Sequence, residues 1–150
     1  MSTVFLRRAR AGKFKTLQQG FNTRRHVWIC DHCHFWFKLE KPRDCKCGNN
    51  TFTYFHSTKE AERAAHLLMQ QSYGVIDKLE FHPAFSYTEN WILIFTYKAD
   101  SRYRKPPGGE TIVEDVKNST NEKVWDPIFA LKKKLIEARY GFHIAIVTGR

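Results

Sequence analysis

Along the chain the alternation of apolar and polar positions changes character near residue 56. Before it, three short runs rich in β-branched and aromatic residues, 25–29, 35–39 and 51–55, are separated by turn-forming residues and predict three short strands. From Ser57 the pattern turns helical: Ser57-Thr58-Lys59-Glu60 has the Ser-x-x-Glu form of a capping box, strong helix formers follow to Met69, and Tyr73-Gly74 ends the run. Strand-like runs at 79–87 and 91–103 are joined by Thr88-Glu89-Asn90, and Lys105-Pro106-Pro107-Gly108-Gly109 turns the chain into a third run, 111–117. Asp126 at an N-cap position and Pro127 in the first turn open a second helix through Tyr140; Gly141 closes it before a last strand, 142–147. The order after the ribbon is helix, three antiparallel strands, helix, strand, an α/β (α+β) core of αβββαβ type. The predicted organisation is a basic arm over 1–22, a ribbon over 23–56 and the core over 57–150, with no internal repeat or low-complexity run.

Charge adds a partner to this outline. The 150 residues hold 25 Lys and Arg against 15 Asp and Glu, a formal charge of +10, in a composition that is otherwise globular at 42% hydrophobic and 27% charged. That excess suits a polyanion, because neutralising phosphates releases condensed counterions without any reading of sequence. Nucleic acid is therefore the expected partner. Acidic membrane surfaces are the competing one, but no apolar run approaches the ~20 residues of a spanning helix, and no signal-peptide pattern opens the chain. The expected location is cytoplasmic. Residues before Asp31 include no acid and carry Arg7, Arg8, Arg10, Lys13 and Lys15, then Arg24 and Arg25: a nucleic-acid-binding arm, or alternatively a mitochondrial presequence.

All four cysteines lie in one stretch, as Cys30-Asp31-His32-Cys33 and Cys45-Lys46-Cys47-Gly48. Paired tight turns that each offer two sulfurs supply the four ligands of a tetrahedral zinc ion, and the flanking strands complete a zinc ribbon in outline. Two disulfides would suit a secreted scaffold. Cys30-Asp31-His32-Cys33-His34 also fits the C-x-x-C-H signature of c-type haem attachment, which leaves Cys45 and Cys47 without a role. Unligated structural cysteines, or a ligand set in which His32 or His34 replaces one sulfur, complete the alternatives. For so short a segment a metal would supply most of the folding energy.

In the 111–117 strand, alternation puts Val113, Asp115 and Lys117 on one face and Ile112, Glu114 and Val116 on the other. A hairpin through the Pro-Pro-Gly-Gly turn brings Asp100, at the end of the preceding apolar run, beside Asp115. Two carboxylates and a lysine then meet at one end of a small sheet.

Asp100 followed by Asp115-Val116-Lys117, on the second and third strands of such a core, resembles the PD-(D/E)xK nuclease superfamily. More closely, the series Lys59-Glu60-Ala61-Glu62-Arg63, Leu79-Glu80, Tyr97-Lys98-Ala99-Asp100, Val113-Glu114-Asp115-Val116-Lys117 and Leu131-Lys132-Lys133-Lys134-Leu135 is similar to a phage-associated family akin to endonuclease I and Holliday-junction resolvases, over about residues 56–147. The resemblance implies a restriction-endonuclease-like core with a mixed sheet, to which the ribbon is an addition. It implies a DNA endonuclease in which Asp100, Asp115 and the Val116 carbonyl hold Mg²⁺ (or Mn²⁺), Lys117 positions or helps deprotonate the attacking water, and Glu60 joins the metal site. Glu60 is equally explained as the capping-box partner of Ser57, with Glu62 the fallback ligand. Asp115 and Lys117 have an exposed ion pair as their plainer explanation, worth ~0–1 kcal/mol. Lys132, Lys133 and Lys134 are a solvated helix face when taken alone, and backbone contacts when placed beside a phosphodiester site. Branched DNA as substrate and a homodimer that cuts two opposed strands are further implications. A nicking or linear-duplex enzyme of the same fold and a non-catalytic zinc-ribbon nucleic-acid binder are the alternatives. The chain departs from the family pattern at Asn118, where Gly commonly follows the lysine, at Ser101, where Phe follows the acid, and at His82, where Gln precedes the proline.

Overall fold

The computed structural model describes residues 26–148. The chain divides into two compact units, the first ending at Ala61 and the second beginning at Glu62, so the division falls inside the first helix and not at its start.

In the first unit, β1 (Val27–Cys30) is the central strand of a three-stranded antiparallel sheet, flanked by β2 (Trp36–Lys38) and β3 (Phe52–Phe55). Val27, Ile29 and Phe55 are almost fully buried, whereas Trp28 between them is half-buried, as strand alternation requires. The helix α1 (Thr58–Ser72) starts here on a capping box: the Glu60 N–H donates to Ser57 Oγ (3.2 Å), and the Glu60 carboxylate accepts from Ser57 Oγ and from the His56 N–H, both at 3.1 Å.

In the second unit the strands predicted over 79–87 and 91–103 are each broken in two. The first becomes β4 (Asp77–Phe81) and β5 (Ala84–Glu89), the second β6 (Ile92–Lys98) and β7 (Ser101–Arg104). Proline is the physical reason for the first break, since Pro83 has no N–H to give the ladder, and His82 before it turns to φ +55°. Pairing carries across both breaks, from His82 N–H to the Asp100 carbonyl and from Ala99 N–H to the Pro83 carbonyl, both 3.1 Å. The result is one long bent hairpin. Its outer half, β5–β6, is a separate two-stranded sheet; its inner half joins β8 (Thr111–Lys117) and β9 (Ile144–Thr148) in a four-stranded sheet of order β4-β7-β8-β9. The hairpin turns at Asn90-Trp91, later than the expected Thr88-Glu89-Asn90, with both residues at positive φ as a two-residue type I′ turn demands.

The four-stranded sheet is mixed: β4–β7 and β7–β8 are antiparallel, and β8–β9, linked through α2 (Pro127–Tyr140), is parallel. The side chain of Asp126 caps α2 by accepting from Ile128 N–H (2.7 Å), and Gly141, at φ +72°, ends it. Each face of the sheet meets one helix. Val113 and Ile144 pack with Ile136 of α2 and with Phe85, Tyr97 and Ala99; Tyr103 and Ile112 pack with Leu67 of α1 and with Ile76. Among the described residues the fold is thus mixed α+β with two α-helices and a mixed sheet, and no helix is long and apolar enough to cross a membrane.

The α1 face also buries an ion pair. Glu114, 3% exposed, receives the Arg63 guanidinium in fork geometry (2.9 and 2.7 Å) and the Tyr103 hydroxyl (2.6 Å). The Glu114 carboxylate raises the Arg63 pKa, and burial together with Glu114 raises that of Tyr103, so the guanidinium stays charged and the phenol stays a donor. Removing one partner strands a buried charge. Arg63→Met is expected to lower unfolding stability by about 3–5 kcal/mol in urea denaturation, and Arg63→Met with Glu114→Met to recover most of that loss.

Candidate metal centre and carboxylate site

Two turns at the end of the ribbon build the cysteine cluster. Cys30 N–H donates to the Phe35 carbonyl and His34 N–H to the Cys30 carbonyl, both 3.0 Å, folding the first turn back on itself; the second closes through Cys45 N–H to Asn49 O (2.8 Å) and Gly48 N–H to Cys45 O (2.9 Å), with Gly48 at φ +85°. The Sγ atoms of Cys30, Cys33, Cys45 and Cys47 all lie within 4.8 Å of one another, with Cys30–Cys47 at 3.6 Å and Cys33–Cys45 at 3.4 Å. Zn–S bonds of about 2.3 Å in a tetrahedron set sulfurs about 3.8 Å apart, so the donor set and its spacing fit such an ion. The four cysteines are free thiols, with Cys30 and Cys45 buried and Cys33 and Cys47 exposed. The cluster can hold a metal such as zinc with four sulfurs, and it includes neither His32 nor His34. The haem alternative accounts for only two of the four.

Thiol acidities differ sharply across the cluster. Burial opposes the Cys30 thiolate, but backbone hydrogen bonds from Cys33 and His32 and the Asn49 amide (3.4 Å) outweigh it and bring this thiol down to about 6. For Cys33 a backbone hydrogen bond from Phe35 favours the thiolate, yet sharing with Cys45 and burial prevail and push it up to about 12. Four such sulfurs cannot all be thiolates beside one another unless a cation replaces their protons.

The second cluster lies at the carboxyl end of β8. Asp115 is 3% exposed: one carboxylate oxygen takes the Lys117 ammonium and the other accepts the Tyr97 hydroxyl. Burial and the Asp115 charge raise the Tyr97 pKa far above its ordinary value, so the hydroxyl remains a donor. Asp100 is half-buried at the break between β6 and β7, where its N–H donates to the Glu114 carbonyl (3.0 Å) and its Oδ2 accepts the Val116 N–H (2.6 Å). Both carboxylates therefore flank the peptide between Asp115 and Val116. Lys117 also sits over the Phe129 ring, 4.1 Å from its centroid. Beside it a hollow of about 170 Å³ is lined by Lys117, Asn118, Ser119, Val124, Trp125, Asp126 and Phe129. Trp125 is fixed there by its Nε1–H to the Ser119 carbonyl (2.7 Å).

The sequence-predicted residues separate as follows. Asp100, Asp115 and Lys117 are brought together, and the Asp115–Lys117 pair is buried on the acid side instead of exposed. Glu60 falls in the first unit, with both oxygens engaged by the capping box, and Glu62 is exposed. Lys133 does not belong to a phosphate-facing surface: it is 5% exposed and its Nζ pairs with Glu137 at 2.6 Å. Lys134 is exposed, and Lys132 lies 5.2 Å from the Phe95 ring centroid. Arg7, Arg8, Arg10, Lys13 and Lys15 lie outside the described residues. Tyr97, Trp125 and Phe129 were not expected at the site. Alternation in the 92–98 strand does put Tyr97 on the buried face with Phe95, but nothing in the sequence aims its hydroxyl at a residue 18 positions later.

Elemental analysis of the purified chain is expected to find one zinc per chain, lost on Cys30→Ser. Because protons and metal compete for the sulfurs, the ion should be released progressively on acidification. A metal-free, fully folded chain at neutral pH would contradict the assignment.

Comparison with known protein families, with characterised proteins and with solved structures finds no match.

Proposed function

We propose that this protein is a metal-dependent DNA endonuclease, selective for branched DNA, with a structural zinc ion in its N-terminal ribbon. The observation that carries the reading is the convergence of Asp100, Asp115 and Lys117 on one peptide at the carboxyl end of a strand in a βαβ unit, beside an open hollow. Ligands characteristically bind at that end of parallel strands. The donor chemistry fits Mg²⁺, a hard cation that needs only one or two carboxylates and keeps several waters. Asp100 and Asp115, with the Val116 carbonyl, would hold it. Bound there, Mg²⁺ supplies an acidified water and neutralises charge developing on phosphate.

The chain's own residues do the remaining work. The Val116 N–H fixes the Asp100 carboxylate, and Tyr97 fixes one oxygen of Asp115, so neither acid needs to reorganise before reaction. Lys117 balances Asp115 until a second cation binds, and its ammonium is then free to orient water or contact a phosphate oxygen. Phe129 and Trp125 wall the hollow and exclude water from that side. A homodimer follows from the need to cut two opposed strands at a junction.

A second reading, a nucleic-acid-binding protein without cleavage, is favoured by one observation: both Asp115 oxygens already have partners. Labelled four-way junction, nicked, linear and single-stranded DNA, incubated with and without Mg²⁺, decides between them. Mg²⁺-dependent cutting of the junction is expected. Asp115→Asn should lower cutting at least a hundredfold while leaving junction binding intact or tighter, because it removes a ligand and a negative charge near phosphate. Binding with no cleavage of any substrate would establish the second reading.

A further inference from the structure

The ribbon sheet has two very different faces. One buries Val27, Ile29 and Phe55 and suffices as its apolar side. The other, which a small antiparallel sheet ordinarily gives to polar residues, carries rings. Register sets Phe37, Trp28 and Tyr54 directly opposite one another across β2, β1 and β3, a row spanning the whole sheet, and all three are half-buried. Trp28 and Tyr54 lie 4.7 Å apart between centroids, Phe52 meets Phe37 edge-on at 5.5 Å, and exposed His26 stacks on Tyr54 at 5.6 Å. These mutual contacts hold the rings in place. The Lys41 ammonium stands over the ring of Trp28, the middle member of the row, 5.4 Å from its centroid.

Charge identifies the occupant. Residues 1–61 hold twelve Lys and Arg against four Asp and Glu, a formal +8, whereas residues 62–150 hold thirteen against eleven, only +2. Seven of those cations, with no acid among them, precede residue 26 in the sequence, immediately ahead of the central strand of the sheet that presents the aromatic row. A tetrathiolate zinc centre would carry about −2, so it is the cations before residue 26 that keep residues 1–61 basic. An apolar protein partner would not need the cations, and a duplex keeps its base faces inside its own stack. Rings with cations match a strand whose bases are unpaired, since every base has a face to stack and every nucleotide a phosphate to neutralise.

We propose that the Phe37–Trp28–Tyr54 face of the ribbon is a stacking platform for unpaired bases of single-stranded DNA. This extends the nucleic-acid part of the proposed function and is independent of cleavage chemistry. The test uses the full zinc-loaded chain, without Mg²⁺, titrated with a fluorescein-labelled oligothymidine and with a duplex of equal length. Tighter binding of the single strand is expected. Trp28→Leu should weaken it on the order of tenfold with little effect on the duplex, and Trp28→Phe, which keeps an aromatic face, should restore it. Tyr54→Leu should act like Trp28→Leu, and zinc content is measured for every variant so that only chains with an intact ribbon are compared. Equal binding by the Leu and Phe variants, or no preference of the parent chain for the single strand, overturns the platform. Neither result would touch the Mg²⁺-dependent cleavage of junctions, which is read separately.

Discussion

The second unit depends on a hydrogen bond that replaces a ladder contact: the Asp100 carboxylate accepting the Val116 N–H. Pairing between β7 and β8 runs as far as Ser101 opposite Glu114, and one more backbone bond follows, from Asp100 N–H to the Glu114 carbonyl. Beyond that the chain bends away into the separate β5–β6 sheet, and the next backbone donor of β8 would be left to find another partner. A buried or half-buried N–H without one costs about 1–3 kcal/mol. A carboxylate at position 100 meets that need with a charge-assisted bond, and in doing so is held beside Asp115. The bend that breaks the strand and the convergence of the two acids are thus one structural event.

That dependence explains which parts of the architecture were legible in the sequence. Both helices follow local chemistry that acts within a few residues: Ser57 with Glu60 at one start, Asp126 and Pro127 at the other, Gly141 at an end. The cysteine turns are equally local. The broken strands were not legible, because the apolar runs 79–87 and 91–103 continue through their breaks with unchanged composition. Pro83 was the available signal for the first. Ala99-Asp100 gives none, since its break exists only because the strand opposite is itself interrupted and because β8 accepts the Asp100 side chain in place of backbone.

The site was legible to the same extent. Asp115 and Lys117 share a face by the period of a strand, and the Glu114–Arg63 pair lies on the opposite face for the same reason. Long-range partners were out of reach: Tyr97 on Asp115 depends on how the outer hairpin packs against α2, and Lys133 is drawn inward to Glu137 by the rotation of α2 against the sheet. A three-lysine run reads as one surface in sequence, but 3.6 residues per turn spread it around the helix, and the middle lysine meets the core.

Charge and chemistry are divided between the two units. The unit with the acids is close to neutral, so by itself it offers a polyanion little attraction, and its paired carboxylates repel phosphate locally. Residues 1–61 carry almost all of the net positive charge, most of it before residue 26, and the sheet beside the cysteine cluster carries the aromatic row. Affinity for nucleic acid set by phosphate neutralisation scales with the number of cations engaged, so on the proposed function residues 1–61 would supply most of the binding free energy and the acidic site little. A ribbon of so few residues would depend on a metal held by the four cysteines to keep the rings in register. On the proposed function, loss of an ion from the four sulfurs would weaken DNA binding without any change at Asp100 or Asp115, so the cysteine cluster would govern engagement of DNA while lying apart from the two carboxylates.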